Sequence, residues 1–261
     1  MTKSLYLIGV GTDLDKARFW KEQAETHQWP YKLVGREGKY EWSSHGTKVK
    51  YILDAIDHLP EETEYILISD TYDSFVNVPP QEILDYFSQF ENTVHFGNDL
   101  KYYELHKRLY TMFPKRYVNK LHNRIEVDGK ECYLQGGIIG GNREAVYNFY
   151  KETLEYVRPD RREQLSLTMM LHDHQEVLDT MHLVGLEKFA HLFTRIYLMN
   201  FRSLAYNTDL GQFQVNGKYP WVIHCPGALR PTITRYFWEY FVSHGNQKNW
   251  RIRPFIRSLR R

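Results

Sequence analysis

The segment Tyr65-Ile66-Leu67-Ile68-Ser69-Asp70-Thr71-Tyr72-Asp73 constrains the chain more than any other. A short apolar run ends abruptly in two carboxylates three residues apart. In an α/β protein such a run is a buried strand, and ligands gather beyond its carboxyl end. Asp70 and Asp73 would stand there together. Two crowded carboxylates repel each other, and a cation between them relieves the repulsion. Hard oxygen ligands favour Mg²⁺ or Mn²⁺, above all where phosphates complete the coordination. The motif alone leaves a second reading open: a strand followed by an Asp-rich turn, since Asp suits turns and helix caps.

The flanking residues set this strand in an alternating α/β pattern. Residues 4–10 (SLYLIGV) read as a buried first strand, followed by the turn Gly11-Thr12-Asp13. Residues 14–26 carry helical spacing through Leu14, Ala17, Phe19, Trp20 and Ala24. Residues 31–35 read as a second strand and residues 47–58 as a second helix. The loop between them holds Tyr40, Trp42 and, at its end, Lys48. An aromatic face there can stack a base, and a helix N-terminus with a lysine suits phosphate; an ordinary surface loop is the alternative. A helix over residues 79–90 begins with proline, and a short strand over 93–96 ends at Gly97-Asn98-Asp99. The chain contains neither GxGxxG nor GxxxxGK[ST], which removes support for dinucleotide and P-loop chemistry.

The block Gln135-Gly136-Gly137-Ile138-Ile139-Gly140-Gly141 sets four glycines among apolar residues. That demands close backbone approach, to a ligand or at strand crossings. Helices are expected over residues 143–157, 165–174 and 232–242. Residues 219–225 (YPWVIHC) read as a buried strand ending near His224. A single histidine there reads equally as a packed core residue. His172 and His174, two apart, point away from each other on a helix and read as structural or surface residues. Residues 177–205 mix helix and strand signals and stay unassigned.

The formal net charge is only +2, but it is unevenly distributed. Between residues 100 and 124, Lys101, Lys107, Arg108, Lys115, Arg116, Lys120 and Arg124 interleave with Tyr102, Tyr103, Tyr110, Phe113 and Tyr117, and Glu104 is the only acid. Residues 248–261 are basic without one acid. Such stretches suit a polyanion whose bases can stack, or else a solvated basic surface. The two cysteines, Cys132 and Cys225, make neither a zinc spacing nor a disulfide scaffold. The opening apolar run is too short for a signal peptide, and no run approaches the ~18 apolar residues of a membrane span. The expectation is a soluble, cytoplasmic protein.

Several short blocks, in one order, resemble the glycosyltransferase domain of the lysyl hydroxylases and related collagen-type transferases. Val10-Gly11-Thr12 matches the turn after that family's first strand. Trp42 and Gly46-Thr47-Lys48-Val49 match a later Trp and Gly-x-Lys-Val. Asp70-Thr71-Tyr72-Asp73 is similar to its metal motif, and Gln135-Gly136-Gly137-Ile138-Ile139-Gly140 to a glycine-rich strand. Ile223-His224, followed by Gly227 and Arg230, resembles a strand ending in a metal-binding His. The resemblance covers residues 4–235. It implies an α/β fold of GT-A type, a nucleotide-sugar-binding mixed sheet flanked by helices. It also implies a UDP-sugar donor held through Mn²⁺ or Mg²⁺. The donor half would span residues 1–99 and the acceptor and metal-His half 125–235. Residues 100–124 would be a basic aromatic insertion and 236–261 a basic tail.

Carried over block by block, Asp70, Asp73 and His224 become metal ligands. Thr12 and Trp42 take the uridine and Lys48 and Arg230 the diphosphate, with Val10, Gly11 and Gly227 in the same donor site. Gly136 and Gly137 admit the sugar. Asp99 and Glu163 are the candidate catalytic bases, Asp99 also for a sugar hydroxyl. The departures lie on the acceptor side. Where the family has an aspartate-rich run, this chain has Asp160-Arg161-Arg162-Glu163-Gln164. A basic acceptor side suits an anionic acceptor. Hydroxymethylated pyrimidines in DNA fit, met through residues 101–124, Arg161, Arg162 and the 248–261 tail. A protein or glycan acceptor, or a binding module without catalysis, are the alternatives.

Overall fold

The computed structural model describes residues 4–40, 46–98, 125–132, 134–158, 163–191 and 204–225, together with Glu239 and Val242. In chain order the first half runs β1 (Ser4–Val10), α1 (Arg18–Thr26), β2 (Tyr31–Val34), α2 (Thr47–Asp57), β3 (Thr63–Asp70), β4 (Ser74–Val76), α3 (Pro80–Phe87) and β5 (Val94–Asn98). The second half runs β6 (Ile125–Val127), β7 (Lys130–Cys132), β8 (Leu134–Asn142), α4 (Arg143–Leu154), α5 (Glu163–Asp173), β9 (Met181–Val184), β10 (Phe189–His191), β11 (Leu204–Asn207), β12 (Gln212–Val215) and β13 (Val222–His224).

Six strands form the central sheet in the order β2-β1-β3-β8-β5-β9. β8 runs antiparallel to both its neighbours, and every other adjacent pair is parallel. The carboxyl ends of β1, β2, β3, β5 and β9 therefore share one edge, where β8 begins. Val10 lies opposite both Val34 and Asp70 on that edge, and Asn98 lies opposite Leu134.

Period-two alternation explains why β1 and β3 read as continuous apolar runs. Ile8, Ile66 and Ile68 face a core layer with Ile52 and Ile56 of α2 and Val146, Phe149 and Tyr150 of α4. Leu5, Leu7 and Leu67 face the other layer, with Trp20 of α1 and Ile83 and Phe87 of α3. Both faces of the sheet are covered, so the middles of β1 and β3 read as unbroken apolar runs. Each fully buried Leu or Ile side chain contributes about 1.5–3 kcal/mol. The glycines of β8 serve this packing. A Cβ at Gly140 would lie 2.8 Å from the Ile66 carbonyl oxygen and 2.9 Å from the Phe87 ring.

A second, three-stranded sheet has the order β10-β13-β4. Its middle strand β13 pairs antiparallel with β4 and parallel with β10. The β11–β12 hairpin is tied to this region by Asn77. The Asn77 amide donates to the Phe213 and Pro220 carbonyls, and its oxygen accepts from the Phe213 N–H.

Several elements differ from the sequence expectation in extent. α1 begins at Arg18 rather than residue 14, because the Asp13 carboxylate accepts the N–H groups of Asp15 and Lys16 and holds a tighter turn there. The strand expected over 219–225 is confined to Val222–His224; Pro220 has no N–H to give a ladder. The glycine-rich block is a nine-residue central strand. Among its described residues, the unassigned 177–205 stretch contains the end of a 3-10 turn, the short strands β9 and β10, and the start of β11. The expected 232–242 helix lies outside the described residues except at Glu239 and Val242.

Candidate functional site

Strand β3 ends at Asp70, and the chain turns at once through Thr71-Tyr72-Asp73 into β4. The turn is held at both ends. The Ser74 hydroxyl donates to the Asp70 carbonyl at 2.5 Å, and the Thr71 hydroxyl donates to the Val10 carbonyl at 2.9 Å. The Asp73 carbonyl accepts the Cys225 N–H at 2.6 Å. β13 runs antiparallel beside β4, which sets His224 opposite Ser74.

Asp70, Asp73 and His224 thereby converge, each offering one ligand atom, with these atoms all within 4.8 Å of one another. His224 Nε2 lies 3.7 Å from Asp70 Oδ2 and 3.6 Å from Asp73 Oδ1. The imidazole is buried, and burial pushes it down to about 4, so at neutral pH it is an uncharged nitrogen donor. Burial and then the Asp70 charge push the Asp73 carboxyl up to about 8. Two carboxylates and a neutral imidazole make a donor set that fits Mn²⁺ or Mg²⁺, and a divalent cation removes the repulsion that holds Asp73 protonated.

The backbone of β8 makes room for this group. One step along β5, from Phe96 to Gly97, spans four positions of β8, from Ile139 to Gln135. Gly136 and Gly137 fall within that bulge. A Cβ at Gly137 would lie 2.6 Å from His224 Nε2, so the imidazole lies directly on the bare backbone.

Behind the carboxylates lies a buried ammonium. Lys48 sits near the start of α2, with its side chain only 6% exposed. Its Nζ lies 2.5 Å from Asp70 Oδ1 and 2.9 Å from Glu163 Oε2. Burial works against the Lys48 charge, but Asp70 and Glu163 outweigh it and hold the amine well above its ordinary value. Glu163 is the first residue of α5 and is itself buried. Tyr150 of α4, fully buried, has a hydroxyl with no hydrogen-bond partner among the described residues. Burial first, then the Glu163 charge, raise its phenol well above the usual range.

A second link joins this turn to the end of β1. The Tyr72 hydroxyl accepts the N–H of Thr12 at 2.8 Å and of Asp13 at 2.9 Å, and lies 3.2 Å from the Thr12 hydroxyl. Gly11 donates its N–H to the Val34 carbonyl at 2.8 Å. The turn Val10-Gly11-Thr12 is therefore fixed against the Asp70-Asp73 turn and not merely adjacent to it.

Residues 1–248 match the family described as the PLOD GT domain. The chain belongs to that family. It is thus a glycosyltransferase domain of the lysyl hydroxylase type, with a GT-A fold. Among solved structures it is similar to a glycosyltransferase involved in the glycosylation of the major capsid of PBCV-1. That similarity has a TM-score of 0.54 at 12% identity, over 90% of this chain and 98% of the other. It is also similar to mouse xyloside xylosyltransferase 1 in its apo form. Here the TM-score is 0.40 at 14% identity, over 80% of this chain and 71% of the other. A search of curated protein sequences gives no match.

In this PLOD GT domain the structure brings together Asp70, Asp73, His224, Gly136 and Gly137, and sets Val10, Gly11 and Thr12 on the same edge of the sheet. Lys48 and Glu163, expected separately on the diphosphate and as a candidate base, are paired with each other. Trp42, Asp99, Gly227, Arg230, Arg161, Arg162, residues 101–124 and the 248–261 tail lie outside the described residues. Glu239, in the segment expected to be a tail, forms an ion pair with Arg18 of α1 at 2.9 Å. Among the described residues, no helix is long and apolar enough to cross a membrane. Two participants escaped the sequence reading. Tyr72 carried a signal, since it sits inside the two-aspartate motif. Tyr150 carried none, because its position on α4 repeats like any core aromatic.

Proposed function

We propose that this chain moves a sugar from a UDP-sugar to an acceptor hydroxyl, with Mn²⁺ or Mg²⁺ held by Asp70, Asp73 and His224. The convergence of those three side chains at the edge where β1, β3 and β5 end is the observation that carries the reading. Such an edge is where open α/β sheets take nucleotides. When bound, the cation supplies positive charge against the charge that develops on departing UDP.

The chain's own groups account for the rest. The turn Val10-Gly11-Thr12, clamped by Tyr72, offers a rigid wall to the uridine, with Trp42 as the stacking partner. Gly136 and Gly137 leave backbone in reach of the sugar. The Lys48 ammonium is committed to Asp70 and Glu163, so direct contact with the diphosphate falls to Arg230 and the backbone at Gly227. Asp99, the next residue in sequence after β5, is the candidate for a sugar hydroxyl or for a base. Residues 1–99 would then form the donor half and 125–235 the acceptor half.

For the acceptor, the basic and aromatic residues 101–124, with Arg161, Arg162 and the tail, favour an anion, and hydroxymethylated pyrimidines in DNA are the acceptor we propose. Membership of the PLOD GT domain family supports a second acceptor, a hydroxylysine-bearing peptide. The test is transfer from a panel of radiolabelled UDP-sugars, with Mn²⁺, onto 5-hydroxymethylcytosine DNA, unmodified DNA and a hydroxylysine peptide. Label on the hydroxymethylated DNA alone, lost in Asp73→Asn, is the expected result. Label on the peptide alone replaces the acceptor and keeps the reaction. No UDP release from any donor contradicts the transferase reading.

A further inference from the structure

Lys48 and Glu163 form an ion pair whose two side chains are 6% and 9% exposed. The pair is placed so that one end touches a carboxylate of the proposed cation site. Asp70 divides its two oxygens: Oδ1 meets the Lys48 ammonium at 2.5 Å, and Oδ2 faces His224. Lys48 thus fixes the rotation of the Asp70 carboxylate, turning Oδ2 toward His224 and Asp73. An ammonium this close to a cation site also opposes the cation, because like charges a few ångströms apart repel strongly where water is excluded. Glu163 Oε2, 2.9 Å from the ammonium, offsets that charge. The arrangement counts three carboxylates against one ammonium, an excess of negative charge suited to a divalent cation.

We propose that Lys48 and Glu163 act as a positioning pair for Asp70, with Lys48 orienting the carboxylate and Glu163 neutralising Lys48 so that a cation can approach. This rests on the proposed function above, and it deepens it. Glu163 then does not take a proton from the acceptor. It is a buried counter-charge at the start of α5, and it links the acceptor side of the fold to the cation site. The buried Tyr150 phenol, held neutral by burial and the Glu163 charge, brings no further ionic charge at neutral pH.

The two substitutions have different and non-additive consequences. Glu163→Gln leaves the Lys48 charge offset by Asp70 alone, and Mn²⁺ is expected to bind about 10-fold more weakly, the usual scale for a group supporting a metal ligand. Lys48→Met combined with Glu163→Gln removes one charge of each sign. Replacing both members of a buried ion pair is often neutral for folding, whereas removing one is costly. The double variant is expected to bind Mn²⁺ more tightly than Glu163→Gln but about 3-fold more weakly than wild type, since it removes the charge that opposes the cation and also loses the orientation of Asp70.

The experiment is titration of the full chain with Mn²⁺ alone, followed by electron paramagnetic resonance of the free ion, with thermal unfolding recorded in parallel. Weakened binding in Glu163→Gln and partial recovery in the double variant is the expected result. A general loss of stability without a change in the Mn²⁺ constant would overturn it. So would Glu163→Gln binding Mn²⁺ as wild type does while losing transfer, which would assign Glu163 to the acceptor. Should Glu163→Gln not fold, the double variant decides alone, and Mn²⁺ binding weaker by more than about 10-fold in it overturns the pairing. A wild type that binds no Mn²⁺ overturns the proposed function together with this inference. A wild type that binds it, with unshifted variants, overturns the inference only.

Discussion

His224 lies opposite Ser74 across the antiparallel β4–β13 pair, although 150 residues separate them in the chain. That one register places the imidazole beside Asp73, and the hydrogen bond from the Cys225 N–H to the Asp73 carbonyl locks it there. A slip of one residue would turn His224 to the other face of its strand. The geometry of the three candidate ligands thus depends on sheet pairing, with the side chains following from it.

Gly137→Ala tests how closely the imidazole rests on β8. The added methyl would lie 2.6 Å from His224 Nε2, and the ring must move. Mn²⁺ affinity is expected to fall about 10- to 100-fold, the scale seen when the support of a ligand is altered. The melting temperature should change little by comparison. Unchanged Mn²⁺ affinity in a folded variant would show that the ring has room.

Tyr72→Phe tests the clamp between the two turns. It removes the acceptor shared by the N–H groups of Thr12 and Asp13. Leaving such groups unpaired costs about 1–3 kcal/mol where they are buried and less where water reaches them. Because the turn is partly exposed, we expect the donor KM to rise several-fold while Mn²⁺ binding stays within about 2-fold of wild type. Steady-state kinetics with the preferred UDP-sugar measure the first and a Mn²⁺ titration the second. An unchanged KM would remove Thr12 from the donor site.

The sheet and the cation cluster were legible in the sequence because strong local signals coincide there. Residues 4–10 read as the strand observed, since both faces are covered and Leu5, Leu7, Ile8 and Val10 are all buried. The Asp70-Asp73 turn was legible from its abrupt change of polarity. The pairing of Lys48 with Glu163 was not, because it joins the start of α2 to the start of α5 and depends on tertiary packing alone. β4, β10, β11 and β12 were missed for another reason. Strands of three or four residues carry too few positions to show a period. The glycines of β8 signalled close approach, but only the structure shows that Gly137 meets His224 and Gly140 meets Phe87.

Asp73 gives the site a pH dependence. Its carboxyl is raised to about 8 by burial and by Asp70, against an ordinary value of 3.8. Below about pH 8 a proton must leave before a cation can be held, so Mn²⁺ affinity is expected to rise with pH and level off near 8. Calorimetric titration in buffers of different ionisation enthalpy should report release of close to one proton at neutral pH. Binding without proton release would contradict the shift.

His95 gives the fold a separate acid limit. It is fully buried and stacked on Phe87 with ring centroids 4.4 Å apart. Burial pushes its pKa down to about 3, from an ordinary 6.5. Between these values the unfolded chain binds the proton and the folded chain does not. The contribution is therefore present above about pH 6.5 and is lost as pH falls toward 3, by up to about 1.4 kcal/mol per pH unit. His224, with the same sign, adds to the acid loss of the metal-free protein. Denaturant melts across this range should show a shallower acid limb in His95→Phe than in wild type. Identical acid limbs would mean that His95 does not titrate with folding.

The most direct measurement is anomalous diffraction at the manganese edge from crystals grown with Mn²⁺ and UDP. The account predicts one strong peak among the Asp70 and Asp73 carboxylates and His224 Nε2, with the UDP phosphates on its open side and Lys48 still bridging Asp70 and Glu163. Manganese bound elsewhere, or UDP bound with no manganese between these three residues, would contradict it.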